Sequence, residues 1–214
     1  SDLKYELHEF NEDGLEINSS GADYTEESVK KAIETQGINN NVYYRIQQLQ
    51  EAGEKSILVF MDSVENAKKM AELPKIKNAT WISGKTDKKS RKERVQGFKN
   101  GNYNVMCVMG TLTTGFDFPD LRNIIIARPM MSLSKYYQIT GRGTRPSIST
   151  GKQYCRIIDY CNNVLRFGKV ENLIIEEIPG WGLGVFNGDV LLTNTPMAGA
   201  TVTKQDIINK INGN

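Results

Sequence analysis

Short apolar runs alternate along the chain with segments of helical period. The run "SILVF" (56–60) is of buried-strand type and leads into "SVENAKKMAEL", whose period is helical and whose Ser63 suits an N-cap. "ATWIS" (79–83) is the next strand, followed by a basic helix ending at Asn100-Gly101. "YNVMCVM" (103–109), "NIIIA" (123–127) and "QYCRIID" (153–159) supply three more strands, with the helix "SLSKYYQITGRG" between the last two. Two helices precede this series, from about Thr25 and about Asn40, closed by Gly37 and Gly53. A strand is also expected at "YELHEF" (5–10). Strands alternating with helices predict an α/β fold: a parallel sheet with helices on both faces. Beyond Ile178, an Asn-Gly-Asp turn between apolar runs predicts a hairpin, and Thr203 with Asp206 has capping-box spacing for a last helix. The expected organisation is an acidic N-terminal linker segment (1–38), the α/β body (39–178) and a small hairpin/helix appendage (179–214).

At 214 residues, 24% charged and 39% hydrophobic, the chain has the composition of a globular domain with a real core. No apolar run approaches the ~20 residues of a membrane span, and no signal-peptide pattern opens the chain. Cys107, Cys155 and Cys161 are odd in number and lack C-x-x-C spacing. Neither a disulfide framework nor a metal site is therefore expected, and the expected setting is cytoplasmic. The net charge of +2 hides an asymmetry between the acidic residues 1–34 and the basic run "KTDKKSRKERVQGFK" (85–99). That run is either a solvated helix face or a phosphate-facing surface.

Two stretches could carry chemistry. In "QITGRGTRP" (138–146), Gln138, Arg142 and Arg145 are spaced four and three apart, as on one helical face. Gly141 and Gly143 allow close approach of another backbone, and Pro146 places Arg145 at a helix end. Two guanidinium forks on one patch suit a phosphate. "GTLTTGFDFPD" (110–120) offers hydroxyls, glycines and Asp117 where a strand ends, the usual place for ligands in an open parallel sheet. A third stretch, "ATWISGKT" (79–86), matches a permissive phosphate-loop pattern. Its would-be loop residues Thr80, Trp81 and Ile82 are strand formers, so a strand is expected there instead.

Taken in order and spacing, "SILVFMDSVENAKKMAEL", "ISGKTDKKSRKERVQGFKNGNYNVMCVMGTLTTGFDFPD" and "SLSKYYQITGRGTRP" resemble motifs IV, IVa, V and VI of superfamily 2 helicases, in the second of their two RecA-like domains. "IIDYCNNVLRFG" resembles a D-x-x-x-N-x-x-R-H-G segment of RadD-type bacterial and phage DNA-repair helicases, with Phe167 at the histidine position. The resemblance implies that the chain is the C-terminal half of an ATP-dependent DNA helicase. It would be inactive alone, because ATP and Mg2+ would be held mainly by an N-terminal RecA-like domain of the same parent chain. Arg145 would be the arginine finger, Arg142 a companion contact to the γ-phosphate, and Gln138 the residue that orients them. Asp117 would approach the ribose, while Gly115 would couple nucleotide to nucleic acid. Ser63, Gly84, Lys85, Thr111 and Thr113 would meet the nucleic-acid backbone. The alternative is a non-catalytic nucleic-acid-binding module that retains the helicase fold; the intact Arg142/Arg145 pair argues against it.

Overall fold

The computed structural model describes residues 1–110, 117–147, 150–192 and 202–211. Its body is a six-stranded sheet of β1 (Asp2–Leu7), β2 (Ile57–Phe60), β3 (Ala79–Ser83), β4 (Val105–Met109), β5 (Asn123–Ile126) and β6 (Tyr154–Asp159), in the order β1-β6-β5-β2-β4-β3. Every neighbouring pair is parallel. The central β2 is buried throughout, as expected of a strand covered on both faces.

Alternation along the strands divides the core into two layers. Ile57, Val59 and Met61 face α1 (Glu26–Thr35), α2 (Ile38–Glu51) and α3 (Val64–Glu72) through Val29, Ile33, Val42, Ile46 and Ala67. Leu58 and Phe60 face the opposite layer, built from Phe98 of α4 (Lys88–Lys99), Tyr136 of α5 (Leu133–Thr140) and Phe167 of α6 (Asn163–Phe167). Thr25 and Ser63 cap α1 and α3, accepting from the amides of Ser28 and Asn66.

The first strand begins three residues earlier than "YELHEF" suggests. Leu3 and Tyr5 are the pair that packs against the sheet's core, and they set the strand's phase. Phe10 is also buried, but in the opposite layer and after the strand has ended, so it does not extend the alternation. After β6, the antiparallel strands β7 (Leu173–Ile178), β8 (Gly182–Asn187) and β9 (Val190–Leu191) form a small second sheet. The Asn187–Val190 pairing confirms the expected hairpin turn, with Gly188 at φ +59°. The amides of Thr203 and Asp206 are reciprocally bonded to each other's side chains at the start of α7 (Lys204–Ile211). No helix among the described residues is long and apolar enough to cross a membrane.

Candidate functional site

Ser132 starts α5, its hydroxyl accepting from the Lys135 amide at 3.3 Å. The helix is fixed by Tyr136, which is fully buried, stacks on Phe167 and donates to the Gly168 carbonyl at 2.7 Å. Helical geometry ends at Thr140 and tightens into a turn, with the Arg142 amide bonded to Ile139 O and the Gly143 amide to Thr140 O. A Cβ at Gly143 would lie 2.9 Å from Cys155 Sγ and 3.1 Å from Leu3 Cδ2. The glycine therefore lets this turn press against β6 and β1.

The helix end separates the three expected side chains. Gln138 and Arg142 line one cavity, whereas Arg145 lies beyond the turn and forms an ion pair with Asp117. Both partners of that pair are exposed. Burial, and after it the like charge of Arg145, lowers the Arg142 pKa, with Asp117 acting in the opposite sense. The two guanidiniums are thus electrostatic neighbours.

One buried cation sets the backbone of this turn. Lys152 is 6% exposed, and its ammonium donates to the carbonyls of Gly143 (2.8 Å), Arg145 (2.9 Å) and Pro119 (3.0 Å). Three donors meet three acceptors, so the residues carrying the arginines are tied to the segment that follows Asp117. Burial lowers the pKa of this ammonium.

The cavity, of about 80 Å³, opens beside Phe60 and Met61 after β2, Gly110 after β4, and Arg128 and Met130 after β5. The helix following β2 covers one face of the sheet, and the helix following β5 covers the other. A crevice between adjacent strands whose connections diverge is where open α/β sheets take ligands. Lys135, Gln138, Ile139 and Arg142 close it from α5 and the turn after it.

The loops after β3 and β4 meet beside this crevice. A Cβ at Gly110 would sit 3.9 Å from the Gly84 amide nitrogen. Gly84 and Lys85 are exposed there. Ser63 lies after β2, where its hydroxyl accepts from the Asn66 amide at 3.1 Å. Thr111, Thr113 and Gly115 lie outside the described residues. "ATWIS" is indeed strand β3, and its Ser83 and Thr86 side chains bond within their own tight turn. Arg91 turns back to the carbonyls of Ser83, Gly84 and Thr86, and Arg94 to that of Trp81 at 2.6 Å. The exposed lysines of the basic run are Lys85, Lys88, Lys89 and Lys92.

Residues 40–147 match the family model described as the helicase conserved C-terminal domain. The chain belongs to this family. It is a RecA-like second domain of the superfamily 2 helicases, with a parallel α/β sheet. IRC3 of Saccharomyces cerevisiae, which carries the name of an ATP-dependent helicase, is 28% identical over 68% of this chain and 21% of its own length. The ATP-dependent RNA helicase DDX50 of Mus musculus is 26% identical over 46% of this chain and 14% of its own. The chain thus spans about a fifth of the length of IRC3. Among solved structures, the E. coli DEAD-box protein SrmB, bound to regulator of ribonuclease activity A, shares the fold. Its TM-score is 0.52 at 16% identity, covering 79% of this chain and 84% of that one.

Within this helicase C-terminal domain, the structure adds residues that sequence reasoning did not single out. Arg128 and Lys135 line the crevice and share the Asp23 carboxylate. The buried Asp159 accepts from the amides of Cys161 (3.0 Å) and Val164 (2.6 Å) and from Asn163 Nδ2 (2.9 Å). Asn163 in turn holds the Arg128 carbonyl (3.0 Å) and the Met130 amide (2.9 Å). The D-x-x-x-N spacing was visible as a motif, but its task of bracing the loop after β5 was not. Lys152 had no signal, since a lysine in a polar turn is ordinarily exposed.

Proposed function

We propose that this domain is the phosphate-clamping half of an ATP-dependent DNA helicase, acting with an N-terminal RecA-like domain of the same parent chain. The observation that carries the reading is that Arg142 lines the sheet's crevice with Gln138, while Arg145, just beyond the turn, carries the Asp117 carboxylate. That carboxylate, from Asp117, stands in for an anionic oxygen and supports the fit of the Arg145 fork to a phosphate. The fit extends to the terminal phosphate only. The stretch that imitates a phosphate loop is a paired strand, so the grip on ATP and Mg2+ is assigned to the N-terminal domain.

ATP, when bound on that domain, supplies the phosphoryl group and the charge that develops at its terminal oxygens. Arg145 exchanges Asp117 for those oxygens, which frees Asp117 to approach the ribose hydroxyls. Arg142 adds a second fixed cation, and Gln138 orients the pair. Preorganised charge of this kind is the protein's main contribution to phosphoryl transfer. Gly115 couples this end to the strand track of Ser63, Gly84, Lys85, Thr111 and Thr113. DNA is the proposed substrate because "IIDYCNNVLRFG" resembles the DNA-repair segment. The domain alone should show negligible ATP hydrolysis.

The test is Arg145→Ala in the full-length parent. Turnover should fall by roughly 10³-fold, with DNA affinity measured without nucleotide nearly unchanged. A folded variant that hydrolyses ATP at the parental rate removes the finger assignment and leaves the non-catalytic binding module.

A further inference from the structure

Arg128 and Lys135 are joined by one carboxylate oxygen. Asp23 Oδ2 lies 3.0 Å from Lys135 Nζ and 3.4 Å from Arg128 Nη2, while its other oxygen accepts from the Tyr24 amide at 3.0 Å. Two cations therefore rest on one oxygen of a monoanion. The same cavity is lined by Arg142, and no other ion pair to Arg128 or Lys135 occurs among the described residues. A phosphate, whether a strand diester or a terminal group, offers at least two unesterified oxygens, one for each cation, where Asp23 gives both cations a single oxygen.

The cations are also held in advance. The Arg128 side chain is only 15% exposed, and its carbonyl is fixed by Asn163, itself held by Asp159. Lys135 stands in the first turn of α5, where the helix N-terminus adds positive potential. Asp23 comes from far along the chain, in the acidic segment between β1 and α1. We propose that Arg128 and Lys135 form a phosphate-binding subsite, and that Asp23 occupies it as an internal competitor that an incoming phosphate displaces. The subsite would add a second anchoring point in the crevice, next to the Arg142–Arg145 pair. It rests on the reading above only for the source of the phosphate, which is a nucleic-acid strand or a nucleotide.

The experiment titrates Asp23→Asn with two probes at low salt, a fluorescent single-stranded oligothymidylate and tripolyphosphate. Asp189→Asn, at an exposed turn, serves as a control with the same change in net charge. Asp23→Asn should bind one probe about fivefold tighter than the control does, and adding Lys135→Gln should abolish the gain. A gain on oligothymidylate identifies a strand phosphate, and a gain on tripolyphosphate a nucleotide phosphate. No gain beyond the control on either probe, or a gain that survives Lys135→Gln, overturns the proposal. Should Asp23→Asn unfold the chain because Asp23 is an anchor, Lys135→Gln alone decides. Its ammonium is half exposed, and its loss must weaken binding of one probe. Equal binding of both probes would refute the subsite while leaving the Arg145 test untouched.

Discussion

The turn after α5 and helix α4 each carry two arginines, yet they use them in opposite ways. In α4, Arg91 and Arg94 bend back onto carbonyls of β3 and of the turn that follows it, and Arg94 also lies 4.9 Å over the Trp81 ring. These guanidiniums supply donors to carbonyls of β3, an edge strand that pairs on one side only. After α5 the backbone carbonyls are served instead by Lys152, and the arginines are directed at a cavity and at a distant carboxylate. The arginines of a basic run are thus a poor guide to a binding surface. What distinguishes the turn after α5, the proposed clamp, is that another residue, Lys152, has taken over the structural task.

The sharpest way to break this contrast is to distort the turn itself. Gly143→Val forces branched carbons against Cys155 and Leu3, and should cost about 3 kcal/mol, read as a lower melting temperature. In the parent it should also reduce ATP turnover, because both arginines move with the backbone. Lys152→Met removes the staple while keeping its apolar stem, and should cost about 2 kcal/mol in chemical denaturation. If the Lys152 variant lost stability but kept parental turnover at low temperature, its proposed part in placing Arg145 would be wrong. Arg94→Gln should cost about 1 kcal/mol, with little change in nucleic-acid affinity, since that guanidinium is engaged on its own strand. Replacing Lys88, Lys89 and Lys92 together by Gln should do the reverse. Stability should stay nearly level while the salt dependence of strand binding flattens, by about 0.7 in log–log slope for each phosphate no longer neutralised.

Much of the body could be read from the chain because both faces of its sheet are covered. "SILVF", "NVMCVM" and "NIIIA" are strands covered on both faces, so the apolar run itself is the signal. The edge strand β1 is half exposed, so its alternation is weak and the pattern of residues places its start three positions too late. At the site, the proline marked Arg145 as a helix-end residue, but the shared helical face did not form, because α5 ends at Thr140, before both arginines. The Asp117 pairing could not be read, because it joins residues far apart in the chain through an exposed contact. Asp23 was hidden for the opposite reason, as one acid among many in an acidic segment. The threonine loop's contacts, Thr111, Thr113 and Gly115, fall outside the described residues.

The central claim is that Arg142 and Arg145 act as one clamp on a phosphate. A double-mutant cycle on ATP turnover in the full-length parent measures this directly, using Arg142→Ala, Arg145→Ala and the pair. Each single variant should lose roughly 10³-fold, and the double variant should lose little more, because removing either cation already disables the unit. Losses that multiply, or an Arg145→Ala variant that turns over ATP at the parental rate, would contradict the account.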